Sequence, residues 1–213
     1  MDSKVNHLLG MSYISRRQTS EINMETFFQD RTFTPTILGN QQLKFGEYEN
    51  CTFEQLNLNS HDIGGYIFID CLFEDCDLSM VKIKATSFQQ VKFHGCKMLG
   101  LHFDDCNPFL FSPIYESCNL SMSTFNGLNL RKSSFKDCQL QSVDFTEADM
   151  QGIKMDTCDL QNAIFEFTNI KEADLTSSFS YKIDPEKNTI KNAKFSWPAA
   201  YGLLSKYNVI IDQ

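Results

Sequence analysis

Cysteine is the residue type in this chain whose number first suggests chemistry. Eight cysteines occur among 213 residues, a number that would suit disulfides in a secreted protein or ligands of a metal site. No CxxC pair and no Cys/His pair at zinc spacing occurs, and Cys71 and Cys76 are five residues apart. Seven of the eight instead lie two residues before a large apolar residue. Because free cysteine is often buried, we interpret these as small core residues of a reduced, cytoplasmic protein.

The other reactive residue types form no catalytic pattern. None of the four histidines has a serine or cysteine at a spacing that suits a nucleophile and its base. The sequence contains neither a P-loop nor a GxGxxG motif. Carboxylates are numerous, but nothing near them in the sequence would raise a pKa for acid–base work. The sequence therefore predicts a protein that is not an enzyme and that uses no cofactor or metal.

A five-residue period sets the elements that position these side chains. Every fifth residue is large and apolar from Leu43 to Phe103 and, after a slip of two residues, from Leu120 to Leu175. All 25 of these positions are apolar, although the whole chain is only 42% hydrophobic. A fixed short period indicates a repeat architecture, and one continuous repeat favours a single domain.

A step of five fits neither a helix, with its period of about 3.6, nor a plain strand, with its period of about 2. It fits a short strand followed by a corner. In an extended segment residues two apart point to the same side, so the small residue two places before each large one faces inward. The residue between them faces water, and eleven of the twelve such residues from Asn119 to Asp174 are polar.

Several segments share a consensus. They are CDLSM at 76–80, CNLSM at 118–122, VDFTE at 143–147, CDLQN at 158–162 and ADLTS at 173–177. These segments resemble the pentapeptide repeat, A(D/N)LXX, over about residues 31–195. The resemblance implies an all-β fold, a right-handed quadrilateral β-helix with four pentapeptides in each coil. It also implies that cysteines 20 residues apart stack on neighbouring coils, as do Phe53, Phe73 and Phe93 on one face and Phe125, Phe145 and Phe165 on another.

The period divides the chain into three parts. Residues 1–23 lack it and are predicted to be a flexible extension, with Met24 as an alternative start of the protein. Residues 24–195 form the repeat, and residues 196–213 form a capping or dimerisation segment made of a short helix and a strand. The residues predicted to cap the last coil or join two copies are Trp197, Tyr201, Leu203, Leu204, Tyr207, Val209, Ile210 and Ile211. Ser196 suits the N-cap of that helix.

Two segments interrupt the repeat. The slip lies within residues 104–117, where two prolines suit a bulge. Phe109 and Phe111 either project there as partner anchors or return to the core. The predicted contact residues of this segment are Asp104, Asp105, Phe109 and Phe111. Residues 176–192 keep the phase but lose the composition, which predicts a loop that leaves the last coils and returns to them.

The charge of the chain bears on its partners. A net charge of −8 and a pI of about 5.0 disfavour direct nucleic-acid binding. No apolar run is long enough for a transmembrane helix, and the first residues lack the apolar region of a signal peptide. Residues 133–176 hold nine acidic and three basic residues, a net −6, which serves solubility or imitates the phosphates of DNA. The residues predicted to form one continuous acidic face that binds a partner are Asp137, Asp144, Glu147, Asp149, Asp156, Asp159, Glu166 and Asp174.

The C-terminal part carries a closer resemblance. The runs IDPEKNTIKNAKF and AAYGLLSKYNVIID resemble the tail of the microcin-immunity and quinolone-resistance (McbG/Qnr-type) pentapeptide proteins. The matching residues are Asp184, Pro185, Glu186, Asn188, Leu203, Leu204, Val209 and Ile210. The resemblance implies a homodimer joined at its C-terminal ends that mimics DNA, binds DNA gyrase or topoisomerase IV, and protects that enzyme from fluoroquinolones or a peptide toxin. The alternative is an interaction scaffold for an unrelated partner, bound through Phe109 and Phe111 or through residues 176–189.

Overall fold

The computed structural model describes residues 26–39 and 41–210. The strands are β1 Phe27–Gln29, β2 Thr32–Phe33, β3 Glu47–Glu49, β4 Thr52–Glu54, β5 Ile67–Ile69, β6 Leu72–Glu74, β7 Ser87–Gln89, β8 Lys92–His94, β9 Ile114–Glu116, β10 Ser134–Lys136, β11 Met155–Asp156, β12 Asp174–Leu175 and β13 Lys194–Phe195. One helical turn, α1, spans Pro35–Leu38, and three 3₁₀ segments follow: η1 Phe103–Asp105, η2 Pro198–Leu203 and η3 Ser205–Tyr207. The predicted extension 1–23 and Met24 lie outside the described residues.

The strands stack in parallel, one coil above the next. Strands β1, β3, β5 and β7 form one sheet, and a seven-stranded sheet runs from β2 to β11. Paired residues are 20 apart in sequence, as in Phe53 with Phe73, except across the slip, where Phe93 pairs with Tyr115. Isolated parallel bridges continue the same register along the rest of the coil. The fold is the predicted right-handed quadrilateral β-helix.

Each coil has four faces, which we number by the large apolar residues of one coil. Face 1 carries Tyr48, face 2 Phe53, face 3 Leu58 and face 4 Ile63, and all four side chains are buried. The same holds for all 25 positions of the five-residue period. The period therefore marks the core of the rod.

The predicted aromatic ladders are formed. On face 2 the rings of Phe53 and Phe73 stack with centroids 4.4 Å apart, and those of Phe73 and Phe93 with centroids 5.1 Å apart. On face 4 the ring of Phe145 stacks 5.5 Å from Phe125 and 5.3 Å from Phe165. Such pairs contribute about 0.5–1.5 kcal/mol each beyond the burial of their area, so the ladders bind neighbouring coils together.

The small inward residues have a hydrogen-bonding task as well as a packing one. The thiol of Cys76 lies 3.3 Å from the carbonyl oxygen of Phe53 one coil earlier. The hydroxyl of Thr168 donates to the backbone carbonyl oxygen of Phe145 at 2.8 Å. A buried carbonyl without a partner is costly, which explains why Cys, Ser and Thr recur here. All eight cysteines are free and buried, and burial raises the pKa of Cys71 to about 12. The prediction that they are core thiols is confirmed.

The slip places its two phenylalanines differently. Phe111 is buried, with its ring 6.1 Å from that of Phe103. Phe109 is 57% exposed, and Leu110 beside it is also exposed. The alternative of a return to the core therefore holds for Phe111, and the alternative of projection holds for Phe109. The expectation that Phe111 contacts a partner is wrong, because its side chain fills the core.

Residues 176–192 do not leave the rod as a loop, so that prediction is wrong. Phe179 bridges to Asp159 and Thr189 bridges to Asn169, which keeps the segment in register. Its polar composition reflects inward polar residues. Asn188 is buried, its amide donates to the carbonyl oxygen of Phe165 at 2.9 Å, and its side-chain oxygen accepts from the backbone N–H of Thr168 at 2.8 Å.

The helical part of the C-terminal segment is wound more tightly than an α-helix. Its two helical parts, η2 and η3, are 3₁₀ helices. Ser196 does not cap with its side chain, and its carbonyl oxygen instead accepts from Ala200 at 2.9 Å. Val209 and Ile210 form no strand, and Ile211 lies outside the described residues. The predicted short helix is therefore present as two 3₁₀ helices. The predicted strand is wrong for Val209 and Ile210, whose side chains are exposed and which form no ladder with the last coil.

Gly202 fits this segment onto the last coil. Its carbonyl oxygen accepts a hydrogen bond from the N–H of Ile183 at 3.2 Å, and a Cβ built at this position would collide with the carbonyl oxygen of Tyr181. Leu203 is half-buried and packs against the core. One side of the segment therefore closes the end of the rod.

Candidate functional site

Several acidic residues of the repeat have a structural role at the corners of the coil. The carboxylate of Asp144 accepts from the backbone N–H of Thr146 at 2.8 Å, and Asp149 and Asp159 do the same for residues 151 and 161. These are Asx turns, which shape the corner that follows each strand. Asn129 forms the same turn with Arg131 at 3.1 Å. Where such a turn forms, it depends on a side-chain oxygen and not on a charge.

The predicted acidic face is not one face. The register distributes the eight residues over the four faces and the corners that follow them: Asp149 on face 1, Asp137, Asp156 and Asp174 on face 2, Asp159 on face 3, and Asp144, Glu147 and Glu166 on face 4. The single acidic stripe is therefore wrong. The reason is geometric, because residues five apart occupy adjoining faces and only residues 20 apart lie above one another.

Basic residues neutralise part of this set. Asp149 pairs with Arg131 at 2.7 Å, and Asp156 pairs with Lys154 at 3.1 Å. Hydrogen bonds from Ser177 and Lys154 lower the pKa of Asp156. The other two pairs are Glu166 with Lys187 at 2.9 Å and Asp174 with Lys194 at 3.9 Å. Exposed pairs of this kind add little stability, but they reduce the charge that these four carboxylates offer to a partner.

The remaining four carboxylates have no ion pair with any described residue. They are Asp137, Asp144, Glu147 and Asp159. Asp159 accepts a hydrogen bond from the amide of Gln141 at 2.7 Å. Asp144 and Glu147 belong to the same coil, on face 4 and the corner that follows it. In the next coil Ile164 is registered with Asp144, and Phe167 occupies the corner below Glu147.

We call Asp144, Glu147, Ile164 and Phe167 the face-4 patch. Ile164 and Phe167 are both exposed, so the patch places two apolar side chains beside two carboxylates. The sequence analysis missed this arrangement. A signal was present, because Ile164 is the apolar exception among the twelve outward residues from Asn119 to Asp174.

A second cluster holds the C-terminal segment. Lys206 lies 2.6 Å from the carboxylate of Asp184 and 2.7 Å from that of Glu186, and the hydroxyl of Tyr207 donates to Glu186 at 2.7 Å. The hydrogen bonds from Lys206 lower the pKa of both carboxyl groups. Asn188 anchors the same turn by donating to the carbonyl oxygen of Asp184 at 2.9 Å. We call Asp184, Glu186, Lys206 and Tyr207 the end clamp.

Around the end clamp the C-terminal segment exposes several apolar side chains. These side chains are Trp197 at 79%, Leu204, Tyr207, Val209 and Ile210. Tyr201 is half-buried. Of the residues predicted to cap or dimerise, Leu203 therefore packs inward, and most of the others in the described chain remain accessible to a partner.

The surface at the slip is smaller than predicted. Asp104 and Asp105 belong to η1 and are exposed, as is Phe109. Asp105 also holds the coil through its carbonyl oxygen, which accepts from the N–H of Ala85 at 2.8 Å.

Within the described residues no group of three or more His, Cys, Asp or Glu side chains could hold a metal ion. No helix found there is long and apolar enough to cross a membrane.

Comparison with known proteins agrees with this geometry. The family model for the pentapeptide repeat region matches residues 110–178. This match identifies residues 110–178 of the chain as a pentapeptide repeat region. The structure is similar to that of a trypsin-treated variant of QnrB1, a plasmid-mediated fluoroquinolone resistance protein. The TM-score is 0.58, with 17% identity over 88% of this chain and 99% of that chain. Full-length QnrB1 gives a TM-score of 0.51 and 18% identity over 86% of this chain and 100% of that chain.

The identity with both QnrB1 structures is low, so the likeness establishes a shared fold and no more. A search of curated protein sequences finds no match to this chain. The chain thus has the fold of QnrB1, and its surface chemistry must be argued from its own residues.

Proposed function

We propose that this pentapeptide-repeat protein binds a type II topoisomerase, DNA gyrase or topoisomerase IV, as a mimic of DNA and protects it from quinolones or a peptide toxin. The observation that carries the proposal is the likeness to full-length QnrB1 along 86% of this chain and all of that chain. The description of QnrB1 as a fluoroquinolone resistance protein suggests the class of target.

The charge distribution supports mimicry of a duplex. DNA carries negative charge all around its axis, and the acidic residues of this rod likewise occupy all four faces. Residues 133–176 have a net charge of −6 by composition, and four of their carboxylates have no ion pair with a described residue. A groove of a topoisomerase that holds DNA is basic, so it attracts a rod of this charge.

The apolar end surface supports a homodimer. Roughly eight coils at about 4.8 Å each make a rod of roughly 40 Å. A second copy joined at the surface of Trp197, Leu204, Tyr207, Val209 and Ile210 would cover these exposed side chains and give a rod of about 80 Å. Sedimentation of the purified chain tests this, and a monomer at micromolar concentration would contradict it.

The decisive experiment is a supercoiling assay with purified gyrase from the source organism. The protein is titrated with and without ciprofloxacin, and the same titration is run with topoisomerase IV in a decatenation assay. We expect rescue from the drug at low protein concentration or inhibition of the enzyme at high concentration. No effect of either kind on both enzymes would refute the proposal.

An interaction scaffold with an unrelated partner is the second candidate. The exposed Phe109, Leu110 and Ile114 at the slip favour it, since a cluster of exposed apolar residues marks many interfaces. This candidate predicts binding that depends little on salt, whereas binding through carboxylates weakens as salt rises. A pull-down with the wild type and with Phe109→Ser, washed at low and high salt, separates the two candidates.

A further inference from the structure

Two exposed apolar side chains on face 4 lie at positions where the repeat usually carries a polar or small residue. Ile164 occupies an outward position that is polar in the other eleven pentapeptides from Asn119 to Asp174. Phe167 occupies a corner with φ +55° and is 68% exposed. Both lie in one coil, three residues apart, so the two departures form one surface.

The corner at Phe167 is unfavourable for a bulky residue. A positive φ suits glycine and asparagine and is strained for large side chains. Other coils fill this corner with Gly65, Gly127 and Glu147, and neighbouring corners at φ +58° and +60° carry Asn162 and Asn192. Burial does not offset the strain at Phe167, because the ring is mostly exposed. Strain that the fold does not need is a reason to look for a function.

The surroundings of these two residues define what they can bind. Asp144 is registered directly beside Ile164, and the N–H of Glu147 donates to the carbonyl oxygen of Glu166, the residue before Phe167, at 2.8 Å. Neither Asp144 nor Glu147 has an ion pair with a described residue. The patch therefore offers an aromatic ring and an aliphatic side chain, bordered on one side by two carboxylates that are free to pair with cations.

We propose that the face-4 patch is the centre of the protein's interface with its partner. Phe167 and Ile164 enter an apolar pocket of the partner. Asp144 and Glu147 pair with basic residues of the partner at the rim of that pocket. An exposed aromatic anchor at the centre with charges around it is the arrangement that carries most of the affinity in protein interfaces. The inference rests on the proposed function in naming a type II topoisomerase as the partner, and it assigns the contact to one face of the rod.

The test separates binding from folding. In Phe167→Asn the anchor is lost, but the new residue suits the positive φ better, so the melting temperature should stay the same or rise. Met122→Asn is the matched control, because Met122 is also a bulky corner residue, with φ +62° and 64% exposure, and it follows face 3. We expect Phe167→Asn to weaken binding to immobilised gyrase or topoisomerase IV at least about tenfold and Met122→Asn to leave binding unchanged.

Each outcome decides the question. Equal binding by Phe167→Asn and the wild type would overturn the face-4 interface while leaving the proposed function intact. Equal loss in both variants would also overturn it, since the effect would not be specific to face 4. If the wild type binds neither enzyme, the proposed function fails, and the partner named here fails with it.

Discussion

Replacing Asp144 separates the two tasks that an aspartate performs in this repeat. Its carboxylate accepts one hydrogen bond, from the backbone N–H of Thr146 at 2.8 Å, and makes no ion pair with a described residue. Asp144→Asn keeps an oxygen acceptor and removes the charge, whereas Asp144→Ala removes both. Asp144→Lys removes the acceptor and reverses the charge, so a loss of binding in that variant would not identify its cause.

The expected magnitudes follow from the single hydrogen bond. Loss of one side-chain cap of this kind lowers the free energy of unfolding by about 1 kcal/mol. We therefore expect Asp144→Ala and Asp144→Lys to be less stable by about 1 kcal/mol, and Asp144→Asn to be within about 0.5 kcal/mol of the wild type. If the partner reads charge, Asp144→Asn and Asp144→Lys should bind it more slowly at low salt, and the differences should shrink at high salt.

The assay combines denaturant unfolding with binding kinetics at two salt concentrations. Asn129 provides a reciprocal control, because its side chain forms the same turn with Arg131 without a charge. Asn129→Ala should lose about 1 kcal/mol, and Asn129→Asp should keep its stability. If Asp144→Asn is as unstable as Asp144→Ala, the side-chain oxygen is not what forms the corner, and this account of the repeat is refuted.

Three further predictions concern the core and the C-terminal end. Phe73→Ala removes a fully buried ring that stacks with centroid distances of 4.4 Å and 5.1 Å on its neighbours. This substitution should lower the free energy of unfolding by about 3–5 kcal/mol. A loss below about 1 kcal/mol would contradict the role of the ladder. Gly202→Ala should displace the C-terminal segment, because its Cβ collides with the last coil, and the fluorescence of the single tryptophan should change while the melting temperature of the rod changes little. Lys206 lowers the pKa values of Asp184 and Glu186 from their ordinary values of 3.8 and 4.5. The end clamp therefore stabilises the C-terminal segment fully above pH values of 3.8 and 4.5, and this stabilisation is lost as the pH falls through the lowered pKa values. A tryptophan fluorescence transition in that acidic range, absent in Lys206→Gln, is the expected result, and an identical transition in both proteins would exclude the clamp as its source.

The slip shows why neighbouring residues of one type can have different fates. The sequence places Phe109 and Phe111 in one interrupted stretch and offers no period to separate them. In the structure Phe111 packs against Phe103, whereas Phe109 is exposed. Which of the two enters the core depends on where the bulged chain rejoins the ladder at Ile114, and that is a property of the neighbouring coils.

The acidic residues illustrate a second limit. Their number and the net charge of residues 133–176 are legible in the sequence, but their partners are not. Arg131 reaches Asp149 and Lys187 reaches Glu166, pairs separated by 18 and 21 residues. Because one coil contains 20 residues, such contacts arise only when the chain has turned through about a full coil.

What the sequence by itself determined is the rod. Strand, corner and core are specified by the five-residue period, by the small residue two places before each large one and by the polar residue between them. Each of these features depends on its own pentapeptide and on an equivalent pentapeptide one coil away. Only the tertiary structure decided which surfaces are free. The face-4 patch and the end clamp bring together residues from different coils, and ion pairing, corner strain and the docking of the last segment follow from that proximity.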